Sequence, residues 1–353
     1  TTLFRSSMRF PSENIPKMAE MGLLGIPFPE EFGGAGMTTL SYIQCVEELS
    51  KVCATTGVIV SAHTSLCATP IYTYGTDAQK EKYLKPLASG EQLGAFALTE
   101  PVAGTDASMQ KSTAVLEGDH YVLNGSKIFI TNAGFADVYI VFAMTDKSKG
   151  TKGISAFILE KDFPGFSVGT HEVKMGIRGS STCELFFDNC IVPKENLLGV
   201  EGKGFSLAMA TLDGGRIGVA AQALGIAEGA IEETIKYVNE RVQFGRTISK
   251  FQNTQFELAQ MRANTEAAKL LVYQAACAKD NHERFTHFAA MAKLVSSRNA
   301  SDVTRRCLQL FGGYGYSSDY PIERMMRDAK ITEIYEGTSE VQMMVISGWM
   351  GVK

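Results

Sequence analysis

Along the first quarter of the chain, apolar residues recur every three or four positions, the repeat that puts them on one face of a helix. Leu40, Ile43, Val46 and Leu49 keep a spacing of three and predict a helix over 38–52 with one buried face. Ile15, Met18 and Leu23 mark a shorter helix over 12–22, with Ser12 placed to cap it. Between the two lies a glycine-rich loop, 29–36. The uncharged stretch 52–76 is broken up by Thr, Ser and His63, which predicts a buried helix rather than a membrane span. Thr76 is placed to cap a helix over 77–88. At Gly94 the repeat becomes strand-like. Runs at 95–98, 112–116, 120–123, 127–130, 138–143, 154–159 and 183–187 read as strands, with Gly118-Asp119 and Asn124-Gly125 as hairpin turns. Many short strands at this spacing predict an antiparallel barrel or sandwich, without the βαβ alternation of a Rossmann unit. After Gly202 the helical repeat returns. Ile217, Leu224, Ile231 and Ile235 line one face of a helix over 215–237, and 254–278 and 286–310 repeat the pattern. Three or four long amphipathic helices read as a bundle. The expected architecture is α+β: an N-terminal helical domain (1–93), a middle antiparallel β-barrel domain (94–202) and a C-terminal helical bundle (203–353).

Composition narrows the function. Hydrophobic residues make up 45% of the 353 and charged residues 20%, ordinary for a globular protein. A net charge of −4 gives no electrostatic footprint for nucleic acid, and no partner of that kind is expected. The seven cysteines never form Cys-x-x-Cys, which favours buried free thiols over disulfides. The five histidines are scattered, so no metal site is expected. The opening TTLFRSSMRF is acid-poor, with two arginines. It is too short for a transit peptide and reads as the remnant of a longer N-terminus.

Six stretches have residues suited to chemistry. In 98–107, Thr99 and Thr105 offer hydroxyls and Gly104 an open backbone, able to donate to a polar ring edge or a phosphate; a Pro/Gly turn capped by Asp106 has the same composition. Phe129, Ile130 and Thr131 end a strand with an aromatic and a hydroxyl two residues apart, suited to a planar ring; an ordinary core aromatic reads alike. Arg241 is suited to phosphate and Phe244 to stacking on a purine, or both belong to a helix end closed by Gly245. Gln309, Leu310, Phe311, Gly312 and Gly313 end another helix the same way, and Arg216, in the run Asp213-Gly214-Gly215-Arg216, is suited to a carbonyl or phosphate. Finally, Glu336 sits between Tyr335 and Gly337, as a general base with a raised pKa or as a solvated residue at a helix end. No phosphate-loop or dinucleotide fingerprint is present.

Taken together and in order, these motifs resemble the acyl-CoA dehydrogenase family, most closely its short-chain, butyryl-CoA dehydrogenase branch. The resemblance rests on LGAFALTEPVAGTDAS, YVLNGSKIFITNAG, FAMTDKSKG, TLDGGRIGVAAQALGIA, ERVQFGR, FGGYGY and RDAKITEIYEGTSE. It implies a C-terminal four-helix bundle, FAD held between the β-domain and that bundle, and a homotetramer built as a dimer of dimers. By similarity Phe96, Leu98, Thr99, Gly104, Thr105, Phe129, Ile130 and Thr131 line the flavin. Arg241, Phe244, Gln252 and Gln309 to Gly313 reach the FAD of a neighbouring subunit, and Thr338, Ser339 and Glu340 also touch the cofactor. Thr105, Asp213, Gly214, Gly215, Arg216 and Gly337 face the acyl-CoA, and Glu336 is the base. In the isovaleryl and long-chain branches the base comes from the segment matching 213–216. Here that segment has Gly214 and Gly215, which leaves Glu336.

Those implications define an expected reaction: short-chain acyl-CoA to trans-2-enoyl-CoA, with Glu336 taking the α-proton, flavin N5 the β-hydride, and electron-transferring flavoprotein the electrons. The rivals are an enoyl-CoA reductase working in reverse within an electron-bifurcating complex, an acyl-CoA oxidase, and a non-catalytic scaffold without FAD. Bacterial cytoplasm is the favoured location, mitochondrial matrix the alternative. Two departures from the family stand out: about one N-terminal helix fewer, and Phe129 where many relatives have Trp.

Overall fold

A computed structural model describes residues 8–352, so most of the arginine-bearing opening stretch lies outside the described residues. The helical elements of the first part are α1 (Asn14–Glu20), α2 (Thr39–Val52), α3 (Ala54–Ser61), α4 (Thr69–Tyr74), α5 (Asp77–Gln79) and α6 (Lys85–Ser89). Two π-helical stretches, Ala62–Ala68 and Lys80–Leu84, join α3 to α4 and α5 to α6. The uncharged run 52–76 is therefore helical and mostly buried, as its composition demands. Ser12 does not cap α1; Glu13 takes that position without a side-chain bond. Thr38 does cap α2, accepting from the Ser41 N–H at 3.1 Å. Among the described residues all seven cysteines are free thiols, with Cys277 exposed and Cys67, Cys183, Cys190 and Cys307 buried.

Among the described residues ten strands follow in two sheets. The large sheet holds β1 (Gly94–Ala97), β2 (Thr113–Glu117), β3 (His120–Thr131), β4 (Val138–Met144), β5 (Ile154–Glu160), β6 (Phe166–His171), β7 (Thr182–Pro193) and β8 (Leu197–Leu198). Its order is β6-β7-β3-β2-β4-β5-β8, with β1 pairing β4. This corrects the expected closed antiparallel barrel in two ways. The pairing is mixed, because β1 and β2 both run parallel to β4. And the sheet stays open, since its end strands β6 and β8 do not pair with each other. The cause is visible in the burial: all seven residues of β4 are buried, so both faces of the sheet are covered there. Ile140 and Phe142 meet Ile71, Leu84 and Leu87 of the N-terminal helices, while Tyr139 and Val141 pack among Tyr121, Phe157 and Leu185 of the sheet itself. Helices thus occupy the face that closure would have turned outward.

Asn124-Gly125, expected to be a turn, lies within the continuous twelve-residue β3. It forms a bulge, marked by a register shift between Leu123 and Gly125 against β7. Gly118-Asp119 is the actual turn, with Glu117 opposite His120.

The last part contains α7 (Gly204–Glu240), the small hairpin β9 (Val242–Gln243) and β10 (Arg246–Thr247), α8 (Gln252–Asp280), α9 (Thr286–Phe311), α10 (Ile322–Lys330) and α11 (Ser339–Trp349). Three of these helices are long; the fourth place in the expected bundle goes to the short α10 and α11, which pack on α9. Helix α2 joins them: Tyr42, Ile43 and Val46 share a core with Leu224, Val272 and Ala292. The approach of α2 to α7 is close because Gly225 has no side chain, and a Cβ there would stand 2.2 Å from the Glu47 carbonyl. At the same crossing the buried carboxylates of Glu47 and Glu228 pair with Lys269 at 2.7 and 3.1 Å, and Glu228 with Lys51 at 2.9 Å.

Candidate active site

The centre is the segment between α10 and α11. A 3-10 turn, Ile331–Glu333, ends α10, and the chain then turns through Glu336 (φ 53) and Gly337 (φ 95) before Thr338 caps α11. A non-glycine residue at positive φ is strained, and such strain persists only where the surroundings impose it. Here they do. The Gly337 carbonyl accepts from Lys293 Nζ at 2.6 Å and Gln342 Nε2 at 2.8 Å. The Thr332 carbonyl accepts from Lys293 Nζ at 3.0 Å and Ser297 Oγ at 2.8 Å. The Tyr335 hydroxyl donates to Gln222 Oε1, and Gln222 Nε2 in turn to the Ala54 carbonyl at 3.0 Å. The helix end expected at Gly337 is therefore a left-handed turn between two helical pieces.

That turn aims the Glu336 carboxylate at α7. A Cβ on Gly215 would stand 2.2 Å from Glu336 Oε2 and 2.7 Å from Leu66 Cδ2. The carboxylate thus fills the space a side chain at 215 would need, with an apolar leucine beside it. Oε2 is buried without a hydrogen-bond partner, and the Glu336 N–H has no acceptor among the described residues. Burial pushes the carboxyl pKa up to about 7, against the pull of Lys293 and Arg216. Asp213 does not stand free beside it: its two oxygens take Arg216 Nη1 at 2.6 Å and the Thr286 hydroxyl at 2.7 Å. Gly214 faces Lys279, whose Nζ would lie 3.2 Å from a Cβ there.

A second group of expected residues gathers where the β1–β2 loop meets the end of β3. Lys127 is fully buried, and its ammonium donates to the Leu98 carbonyl (3.1 Å), Glu100 Oε1 (2.7 Å) and Gln110 Oε1 (3.1 Å). Glu100 also accepts the backbone N–H groups of Lys111 and Ser112. The Thr99 carbonyl accepts from the Ile128 N–H at 2.9 Å. The loop with Thr99, Gly104 and Thr105 is thereby fixed to the strand end with Phe129 and Thr131. Gly104 and Thr105 are exposed, and Phe96, Thr99 and Thr131 half-buried; Leu98 and Ile130 belong to the core. The β3–β7 register breaks between Lys127 and Ile130, and this bulge holds Phe129 at φ 58 with 59% of its surface exposed. An exposed aromatic held in strained backbone beside free hydroxyls fits a planar ring.

A third group lines a cavity of about 650 Å³: Arg241, Gln309, Leu310, Phe311, Gly312 and Gly313, with Tyr237, Tyr314 and Asp319 among the other walls. Among the described residues Arg241 has no carboxylate partner; its guanidinium lies over the Tyr314 ring, 5.1 Å from the centroid. An unpaired arginine in a glycine-walled cavity suits a phosphate. Helix α7 ends before this motif, at Glu240, so Phe244 and Gly245 form the tip of the β9–β10 hairpin and not a helix end. Phe244 is 93% exposed. Gln252 opens α8, exposed; Glu340 is exposed on α11, and Ser339 is buried beneath it. None of Glu336, Phe129 or Thr131 lines this cavity.

Lys293, Lys127 with Glu100, and Leu66 were not singled out in the sequence. Lysine at 293 stands on a face otherwise made of Ala289, Ala292, Ser296 and Ala300, and lysine at 127 occupies a buried strand position. A charged residue on an apolar face was the available signal in both cases.

The chain belongs to the acyl-CoA dehydrogenase family: its N-terminal domain model matches residues 3–91, its middle domain 95–190 and its C-terminal domain 202–351. As a member it is an FAD-dependent oxidoreductase that turns an acyl-CoA into an enoyl-CoA and passes the electrons to electron-transferring flavoprotein. Its place is in the short-chain branch. It is 64% identical over 340 residues to the short-chain specific acyl-CoA dehydrogenase of Clostridium acetobutylicum, covering 96% of this chain and 90% of that one. The structure of butyryl-CoA dehydrogenase from Megasphaera elsdenii superposes with a TM-score of 0.98 at 56% identity, covering 99% of this chain and 92% of that one. An acryloyl-CoA reductase (NADH) of Anaerotignum propionicum is 55% identical over 340 residues, 96% of this chain and 86% of its own. Among the described residues no helix is long and apolar enough to cross a membrane.

Proposed function

We propose that this chain dehydrogenates short, butyryl-type acyl-CoA, with Glu336 as the base that takes the α-proton. The observation behind the assignment is the Glu336 carboxylate itself: buried, without a donor, seated over Gly215, with its pKa pushed up to about 7. A thioester α-proton is weakly acidic, so its carbonyl has to be polarised while a base removes it. The unengaged Glu336 N–H is suited to that carbonyl, and the adjacent carboxylate to the proton. Leu66 and the walls of α7 keep water from the carboxylate, which raises its proton affinity. When bound, FAD supplies the acceptor for the β-hydrogen, taken as hydride. Phe129 and Thr131 are suited to cover and hydrogen-bond its ring, with Thr99 and Thr105 on the adjoining loop. Arg241, with Gln309 to Gly313, is suited to the pyrophosphate, and the hairpin tip Phe244 to the adenine, of a second subunit's FAD within a homotetramer. The branch relative from Clostridium supports a bacterial cytoplasmic setting.

The test is an anaerobic titration of the holoenzyme with acyl-CoAs of increasing chain length. Butyryl-CoA is expected to bleach the flavin most completely, and Glu336→Gln to keep its FAD and lose the bleaching. Wild-type bleaching rates in that variant would remove Glu336 from the reaction. A second reading, net reduction of short enoyl-CoAs, is favoured by the similarity to an acryloyl-CoA reductase. It uses the same residues, with Glu336 returning the proton. Comparing both directions with the physiological electron carrier separates the two.

A further inference from the structure

Lys293 stands apart from Lys127, the other buried lysine among the described residues, which pairs with Glu100. It lies on α9 with 1% of its surface exposed, and no carboxylate is within ion-pair distance of it among the described residues. Its hydrogen bonds go to two neutral carbonyls, those of Thr332 and Gly337, which bracket the strained turn. Burying an ammonium on neutral partners is costly, and an apolar side chain of the same length would avoid that cost. The nearby group that needs a positive charge is Glu336, whose Oε2 has no donor.

Several charged or titratable groups face this carboxylate. Lys293 does so from α9, Arg216 from α7 and Tyr42 from α2, with Tyr335 adjoining in the chain. Arg216 is committed to Asp213 at 2.6 Å, which offsets its charge. Glu333 acts on Lys293 and is itself paired with Lys330. From α11 comes the neutral Gln342, and from the π-helical stretch the apolar Leu66. Lys293 is the cation of this set without a carboxylate partner.

We propose that Lys293 is the positioning residue of the base: it fixes the Gly337 carbonyl, so that the Glu336 carboxylate stays over Gly215, and supplies the unpaired charge that keeps that carboxylate ionised. The proposal rests on Glu336 being the base. Burial lowers the Lys293 pKa to about 8, so the ammonium is still charged where Glu336 titrates, near 7.

Two variants of the holoenzyme separate charge from geometry. Lys293→Gln keeps a donor and removes the charge; Gln342→Leu removes the second donor on the Gly337 carbonyl and keeps the charge. Lys293→Gln is expected to move the acid limb of the kcat/KM profile up by about one pH unit or more. Gln342→Leu is expected to lower kcat with the limb in place. The same shift is expected in the pH titration of the protonated-carboxyl infrared band that Glu336→Gln abolishes, a readout independent of turnover. An unmoved limb and band in Lys293→Gln overturn the proposal. If Lys293→Gln does not fold, Lys293→Arg replaces it: an acid limb at the wild-type position with reduced kcat supports the proposal, and a limb displaced upward overturns it. Full activity in Glu336→Gln instead overturns the base assignment, and the role of Lys293 with it.

Discussion

As the proposed base, Glu336 has to be ionised to accept a proton, and its burial works against that. With the pKa raised to about 7, activity in the dehydrogenation direction is expected to rise with pH through that value and level off above it, measured as kcat/KM with butyryl-CoA. Stability runs the other way. The folded carboxyl holds its proton more tightly than an unfolded one with a pKa of 4.5, so its contribution is full below that value and is lost as pH rises through about 7. Glu336→Gln is therefore expected to be more stable than the parent at about pH 8, with the gap shrinking at about pH 5, by urea denaturation. Gly215→Ala tests the geometry. Its Cβ would press on Glu336 Oε2 and Leu66, so a loss of at least about tenfold in kcat is expected, with FAD retained. Glu336 stood out in the sequence because, on the family's pattern, Gly214 and Gly215 left it without a rival, and the structure finds its carboxylate buried over Gly215. Lys293 was passed over: its place on a face of small buried residues marks an unusual lysine, but the helical repeat does not show that its ammonium meets the carbonyls of the Glu336 turn.

At the scale of elements, the β3 strand shows why local sequence goes only part of the way. Asn-Gly accepts positive φ equally well in a two-residue turn and in a bulge. Which one forms is decided by β7, which pairs with β3 on both sides of Gly125 and keeps the strand continuous. The second bulge, at Phe129, had no signal beyond an aromatic in a strand. The Lys127–Glu100 pair holds this element to the β1–β2 loop, and both side chains are buried. Lys127→Met would leave Glu100 buried without its cation. A loss of about 3–5 kcal/mol is expected in urea unfolding, together with weaker FAD retention. Glu100 also accepts two backbone N–H groups, so Glu100→Gln, which keeps one acceptor oxygen, is expected to cost less than Lys127→Met.

At the scale of the whole molecule, the order helix, sheet, helix was plain from the change of repeat at Gly94 and again near Gly202. The closure of the sheet was not. Alternation reports which residues face a core, and the same alternation serves an open sheet covered by helices and a barrel closed on itself. The burial of every residue in β4 decides the matter, and it depends on where Ile71, Leu84 and Leu87 dock. The hairpin after α7 was hidden for a similar reason: Phe244 is 93% exposed, with an edge contact to Phe251 of its own chain, so no pattern of burial marks it. Its partner is expected in a neighbouring subunit. Arg241→Ala is expected to leave the fold intact and to lower bound flavin per chain after gel filtration. Unchanged flavin content would rule out a phosphate role for Arg241.

The missing side chain at Gly215 also has an evolutionary meaning. The space above it holds one carboxylate, and either wall of the pocket can supply it: position 336, as here, or the 213–216 segment, as in the isovaleryl and long-chain branches. Each single step between these arrangements is a dead end. Gly215→Glu would crowd two like charges into one site, and Glu336→Gly would leave none. A paired change at 215 and 336 is therefore expected to be needed to pass from one arrangement to the other.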